Sequence, residues 1–513
     1  MKIPSIDSLY ATLYPQTEPI VIALAYPVGA DAEEVELVLR NQFQEKGFEV
    51  HFIRISQLIA SERPSKKSSS NVRDLQASGT YLCEKHKSSH YLGLRAMEEI
   101  RRLRKSQTRQ LFIVRSLKRV EEVQLLRAVY GSSFYLLGLN TPLYKRIDAL
   151  KLTQSSTVDI DSIIKIDESE DTEYGQNLSD TYELADYFID TYYGKEYPLG
   201  VQVQRFVRML FGNLFITPTP AENAMFLAYA SSYVSSDMGR QVGACITNNR
   251  HQVLALGSNE VPAYGGGTFW PKRSLGVPNP EEDPRDWSIG VDPNDREKEK
   301  IAKELGEDVL AILRTINESD MVTGDLFQPY MPEELEGLIA QYLGKRVSHL
   351  TEFGRTVHAE MAAILNCATN GISTKSTKLY CTTFPCHNCA RHIVAAGIEK
   401  VVYIEPYPKS KARDLHSDSI VYTHMSKEPL TALVNAVRVV PFFGMGPRKY
   451  IDHFATRIQT GVRIERKKGG MAISVADEVL RDLRTPLTPH NYISREELAL
   501  KPLTPRPSKK RKA

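Results

Sequence analysis

The sequence predicts an α/β protein with more than one domain, on three observations. The chain has 513 residues, more than one hydrophobic core sustains. It opens with a strand, helix, strand succession, and a second alternation of apolar strands with helices begins near residue 217.

Pro19 to Ala25 is a continuous apolar run of strand length. Asp31 to Lys46 then places Val35, Val38, Leu39 and Phe43 at helical spacing, with Asp31 and Glu34 reading as a capping box and Gly47 as the stop. Phe48 to Arg54 alternates as a second strand. Lys66 to Asn71 reads as an exposed loop, Tyr91 to Lys105 as a helix, and Gln110 to Val114 and Ser133 to Gly138 as buried strands. This first domain is assigned residues 1–165. Asp167 to Gly175 is acidic and polar, so 166–216 is expected to be a linker, with a Tyr- and Phe-rich helix from Asp180 to Tyr193.

In the second domain, 217–460, Glu222 to Val234 is expected to be a helix. Gln241 to Ile246 and Gln252 to Leu256, joined by Asn248-Asn-Arg250, form an expected hairpin, and Lys378 to Thr382 and Lys400 to Ile404 are later strands. Residues 271–350 form a Pro-rich, charged insertion that turns amphipathic at Glu297 to Ile316 and Pro332 to Leu343. An insertion of that length is either a surface elaboration or subunit contact, or a lid over a substrate. Residues 461–513 form a C-terminal extension whose basic tail, Arg506 to Lys512, reads as a disordered solvated end, with a nucleic-acid or targeting patch as the alternative.

The balance of 65 basic and 62 acidic residues is too even to argue for a polynucleotide partner. No apolar run is long enough to span a bilayer, and the N-terminus lacks the apolar stretch of a signal peptide, so a cytoplasmic protein without a membrane partner is expected. Six cysteines in so long a chain suit a metal or catalytic role better than a disulfide framework.

Two segments carry the chemistry: Val357-His-Ala-Glu-Met-Ala-Ala-Ile364, and Thr383-Phe-Pro-Cys-His-Asn-Cys-Ala-Arg-His-Ile393. Cys386 and Cys389 are three apart and share a face of the first helical turn, where the helix dipole favours thiolate. His358 adds a third donor suited to zinc, and three protein ligands leave the fourth tetrahedral position open, as catalytic rather than structural zinc requires. Zinc is therefore the expected cofactor, and no cofactor-binding residues beyond its ligands are assigned. Glu360, two residues from His358, is the expected proton carrier. Since positions two apart do not share a helix face, His358 must stand at the very start of its helix. His387 and His392 read as ordinary helix residues, and Cys245, Cys367 and Cys381 as core.

The H-x-E and P-C-x-x-C pairing is a zinc deaminase signature. With Ser236-Asp-Met-Gly-Arg-Gln241-Val-Gly-Ala-Cys245 and Gly257-Ser-Asn259-Glu-Val-Pro262, residues 217 to 445 resemble the deoxycytidylate branch of the cytidine deaminase superfamily. The resemblance implies a deaminase-like α/β/α domain, with Asn259 and, more weakly, Gln241 as nucleotide contacts. With Gly265-Gly-Gly-Thr-Phe-Trp270, the insertion and an N-terminal domain like a P-loop kinase, the chain resembles bacterial antiviral dCTP deaminases. That implies conversion of dCTP, and also dCMP, to uracil nucleotides, with free deoxycytidine nucleotides as partners. A phage trigger or an inhibitory RNA is a candidate regulator, and a homo-oligomer is expected.

The N-terminal loop departs from the phosphate-binding pattern. In Ala25-Tyr-Pro-Val-Gly29-Ala-Asp31 only one glycine remains, and Ala30 and Asp31 stand where the Lys and hydroxyl residues belong. A degenerate, regulatory or scaffolding parallel-sheet domain is expected, with residual nucleotide binding as the alternative. The competing functions for the whole chain are an RNA or single-stranded DNA base-editing deaminase, which needs a basic groove and stacking aromatics, and a regulatory nucleotide-sensing protein.

Overall fold

A computed structural model describes residues 19–62, 71–105, 108–154, 159–191, 197–213, 215–271, 283–318, 352–406, 410–423, 435–456, 465–473 and 491–503. The chain divides into two compact units. The first comprises residues 1–226, 402–406 and 421–513, and the second 227–401 and 407–420.

The first unit is built on a mainly parallel sheet. Its strands are β1 (Ile20–Ala25), β2 (Glu49–Arg54), β3 (Gln110–Arg115), β4 (Phe134–Asn140) and β5 (Tyr187–Asp190), joined by helices α1 (Glu33–Gln44), α2 (Ile55–Ser61), α3 (Val72–His86), α4 (Tyr91–Leu103), α5 (Val120–Tyr130), α6 (Leu143–Thr153), α7 (Ile160–Glu168) and α8 (Leu178–Glu183). The order is β5-β4-β1-β3-β2, all parallel, and the short strand Gly444–Met445 adds antiparallel to β5. β1 is buried along its whole length, as an apolar run without alternation requires in a sheet covered on both faces. The N-cap of α1 is Ala32, not Asp31 as the capping-box reading expected; Asp31, one residue earlier, accepts the Glu33 N–H at 3.0 Å, and Gly47 follows the helix at φ +78°. Helix α9 (Leu199–Leu210) packs on α1, where Phe43, Phe48 and Phe211 meet edge to face.

Two readings of 166–216 change. Tyr187-Phe-Ile-Asp190 is a fully buried strand, not part of a helix, because aromatic and β-branched side chains fill both faces of the sheet. The acidic stretch expected as a linker holds Asp167, which is buried against Lys118 at 2.7 Å. An acid reads as surface only while its partner, 49 residues earlier, is out of view.

In the second unit, β6 (Gly243–Thr247) pairs antiparallel with both β7 (Val253–Ser258) and β8 (Lys378–Thr383). The β6–β7 turn closes with His251 at φ +62°, so the expected hairpin forms. Helix α10 (Pro220–Ser232), which enters this unit at Leu227, precedes it, α11 (Asp286–Ile289) and α12 (Pro293–Glu318) occupy the insertion, and α13 (Ala359–Thr369) and α14 (His387–Ala395) follow. The expected helix at Pro332 to Leu343 and the basic tail lie outside the described residues. Two glycines bring helices onto this sheet. A Cβ at Gly257 would fall 2.2 Å from the Ala359 carbonyl oxygen, and one at Gly243 would fall 1.8 Å from that of Ala228. Only a bare backbone lets α13 and α10 approach β7 and β6 so closely. No helix among the described residues is long and apolar enough to cross a membrane.

Candidate metal centre and active site

His358 is the N-cap of α13 and Cys386 the N-cap of α14. Both have extended backbone; the Cys386 sulfur turns back to accept the Cys389 N–H at 3.4 Å, whereas the His358 side chain makes no capping hydrogen bond. This places His358 ahead of the first turn and frees Glu360 to sit inside it, as the two-residue spacing demands.

The three donors converge. His358 Nδ1 lies 3.3 Å from Cys386 Sγ and 3.4 Å from Cys389 Sγ, and all three donor atoms lie within 4.8 Å of one another. Bonds of roughly 2.3 Å to sulfur and 2.0 Å to nitrogen at tetrahedral angles put those atoms about 3.5 Å apart, so the set fits a zinc ion. Two sulfurs and an imidazole are also the donors that zinc favours over hard cations.

The groups share protons as a cation-binding set does. The Cys386 thiol is pulled down to about 4, first by its hydrogen bond with Cys389 and then by His358. The His358 imidazole is pushed up to about 9, chiefly by its hydrogen bond to Cys386. A bound cation takes the place of those protons. Glu360 is buried, which pushes its carboxyl up, and it takes a hydrogen bond from Cys389.

Asn259 is buried with both ends of its amide on backbone: Oδ1 accepts the Val242 N–H at 2.6 Å and Nδ2 donates to the Arg240 carbonyl at 2.8 Å. Gln241 donates through Nε2 to the Ser235 carbonyl at 2.7 Å. The two residues therefore shape the 235–242 segment. Gly265, Gly266 and Gly267, all at positive φ, make the tight loop before Phe269, whose ring lies 5.8 Å from the Arg285 guanidinium carbon.

One residue escaped the sequence reading. Glu260 is buried, accepts the Ser236 N–H and hydroxyl at 2.7 Å each, and pairs through its backbone with Val357, the residue before His358. Its only sequence signal was its place in the Gly257 to Pro262 stretch. It ties the 235–237 turn to the segment that delivers the imidazole.

Residues 218–405 match the family described as the cytidine and deoxycytidylate deaminase zinc-binding region. The ComE operon protein 2 of Bacillus subtilis (strain 168) is 47% identical over 53 residues, 10% of this chain and 28% of that protein. The deoxycytidylate deaminase of Enterobacteria phage T4 is 47% identical over 55 residues, 11% of this chain and 28% of that protein. The Homo sapiens deoxycytidylate deaminase is 25% identical over 184 residues, 36% of this chain and 63% of that protein. The chain thus spans less than a third of the length of the first two of these relatives. The crystal structure of a dCMP deaminase from cyanophage S-TIM5 aligns at 17% identity with a TM-score of 0.22, covering 44% of this chain and 100% of that one. His358, Cys386 and Cys389, brought together at two helix starts, all lie within residues 218–405, the stretch that matches the cytidine and deoxycytidylate deaminase zinc-binding region.

Proposed function

We propose that the chain is a zinc-dependent hydrolase that removes the exocyclic amine of free deoxycytidine nucleotides. The observation that carries this reading is Glu360, buried in the first turn of α13 beside three convergent zinc-type donors. His358, Cys386 and Cys389 would hold the ion. A bound zinc ion supplies the Lewis acidity that lets a water lose its proton near neutral pH. Glu360 takes that proton and delivers it to ring nitrogen N3, and it carries a second proton to the departing amine. The C4–N4 bond breaks, a C4 carbonyl forms, one water is consumed and ammonia leaves. Burial raises the affinity of Glu360 for a proton, which suits a group that must accept and return one.

Substrate class rests on the relatives named deoxycytidylate deaminases and on the motif resemblance. The resemblance to antiviral dCTP deaminases adds that the triphosphate is turned over alongside dCMP, so that the activity depletes dCTP during phage infection. For the first unit we propose a phosphate-binding fold that has lost its phosphate site. The Val28 N–H of the β1–α1 loop donates to the Asp167 carboxylate at 2.8 Å, so a protein anion holds the place a ligand's would take. Purified protein incubated with dCTP, dCMP and a cytosine-containing oligonucleotide, with products resolved by chromatography, tests the reading. Uracil nucleotides from the free substrates are expected. An edited oligonucleotide with untouched free nucleotides overturns it.

A further inference from the structure

The chain reaches His358 directly after the insertion, and the described start of that insertion is fastened to the segment in between. Arg355, three residues before His358, donates through Nη1 to the Pro284 carbonyl at 3.0 Å and pairs with Asp286 at 3.3 Å. The Phe353 N–H donates to Asn294 Oδ1 at 3.3 Å. The segment that delivers the imidazole is thus held by the start of α11 and by the first turn of α12.

A second tie runs through the glycine loop. Arg285 closes a fork on Asp283, with Nε 2.8 Å from Oδ1 and Nη2 2.5 Å from Oδ2. Its guanidinium carbon lies 5.8 Å from the Phe269 ring centroid and 5.7 Å from that of Trp287. Asp283 is buried, so the planar fork is shielded from water, and only arginine offers both the fork and a flat face to the rings. Phe269 is fixed in turn by its N–H on the Val261 carbonyl at 3.0 Å, and the Val261 N–H rests on Glu260 Oε1 at 2.8 Å. The Glu260 carbonyl then accepts the Val357 N–H at 3.1 Å, one residue short of His358.

We propose that Asp283 to Asn294 is a strut of the metal centre, with Arg285 and Arg355 as positioning residues that set where the His358 imidazole stands. This is a third role for the start of the insertion, beside a lid and a surface elaboration, and it rests on the reading of His358 as a zinc ligand. His358 is an N-cap with extended backbone and no capping hydrogen bond from its side chain. Its ring is therefore placed by the chain entering α13 more than by the helix itself, and that chain is what the two arginines hold.

Three variants of the full chain test this: Arg285→Lys, which keeps the charge and loses the fork and the ring contacts; Arg355→Asp; and the swapped pair Asp286→Arg with Arg355→Asp. Deuterium uptake by the peptide spanning 353–360, measured on metal-free protein, reads the strut without zinc or substrate. Uptake should quicken in both single variants and return to the parent's rate in the swapped pair, with all three proteins folded. A chromophoric chelator should strip zinc about ten-fold faster from Arg285→Lys, which loses a shielded charge-assisted fork. Release from Arg355→Asp should be about three-fold faster, since that pair is partly exposed, and the swapped pair should recover. On deoxycytidine nucleotides kcat should fall more than KM moves. Absence of any turnover by the parent would defeat the substrate reading, while uptake and zinc release still decide on the strut. The proposal is overturned if both folded single variants match the parent in uptake and zinc release, or if the swapped pair recovers neither.

Discussion

His358 Nδ1 lies 3.3 Å from Cys386 Sγ although 28 residues separate the two, and each residue is the N-cap of its helix. Everything proposed for the second unit depends on that meeting.

The purified protein should carry about one zinc per chain, because the three donors fill three of four tetrahedral positions. Elemental analysis checks it. Cys386→Ser should lose most of the metal and the deaminase activity together. Full zinc content in that variant would remove the assignment.

Replacing Glu360 by Gln keeps the volume and removes the proton carrier. Turnover should fall about 10²- to 10⁴-fold, the usual worth of a positioned acid-base group, with zinc content and melting temperature retained. Rates within a few-fold of the parent would show that another group moves the proton.

Gly257→Ala tests the packing that positions the imidazole. The added methyl would meet the Ala359 carbonyl oxygen at 2.2 Å and the Ala363 nitrogen at 2.5 Å, both backbone, so α13 must shift. A loss of about 1–3 kcal/mol is expected from overpacking, with weakened zinc retention. Chemical denaturation and metal analysis read the two effects, and unaltered stability would contradict the contact.

Glu183, on α8, supplies a pH test in the first unit. Burial and then the Glu405 carboxylate raise it from 4.5 to about 7. The folded state therefore holds a proton that the unfolded state releases. The stability this contributes is complete below about 4.5 and is lost as pH rises toward 7. Glu183→Gln should raise the melting temperature near pH 8, by the equivalent of about 1–2 kcal/mol after discounting for partial exposure, and do little near pH 4. Equal melting curves across that range would refute the coupling.

What the sequence revealed follows from the range of the interactions. The strands from Ile20 and Gln110 and the grouping of His358, Cys386 and Cys389 were legible because periodicity and spacing along the chain fix them. Tyr187 to Asp190 was misread because four residues are too few for period to separate strand from helix, and neighbours in the sheet decide. Asp167 looked like linker because Lys118 is remote in sequence. Gly257 and Glu260 went unseen for the same reason: one is dictated by a helix about a hundred residues on, the other by a backbone bridge to Val357.

The placing of His358 and Cys386 at helix caps has a thermodynamic corollary. Where the N-cap of a helix is also a metal ligand, cation capture and the ordering of that helix end become one linked equilibrium. Zinc bound there would act as a folding ligand of the second unit, its free concentration setting how firmly both helix starts are clasped. Scarcity of the metal would be felt first as fraying at Ala359 and His387, before any strand of the sheet gives way.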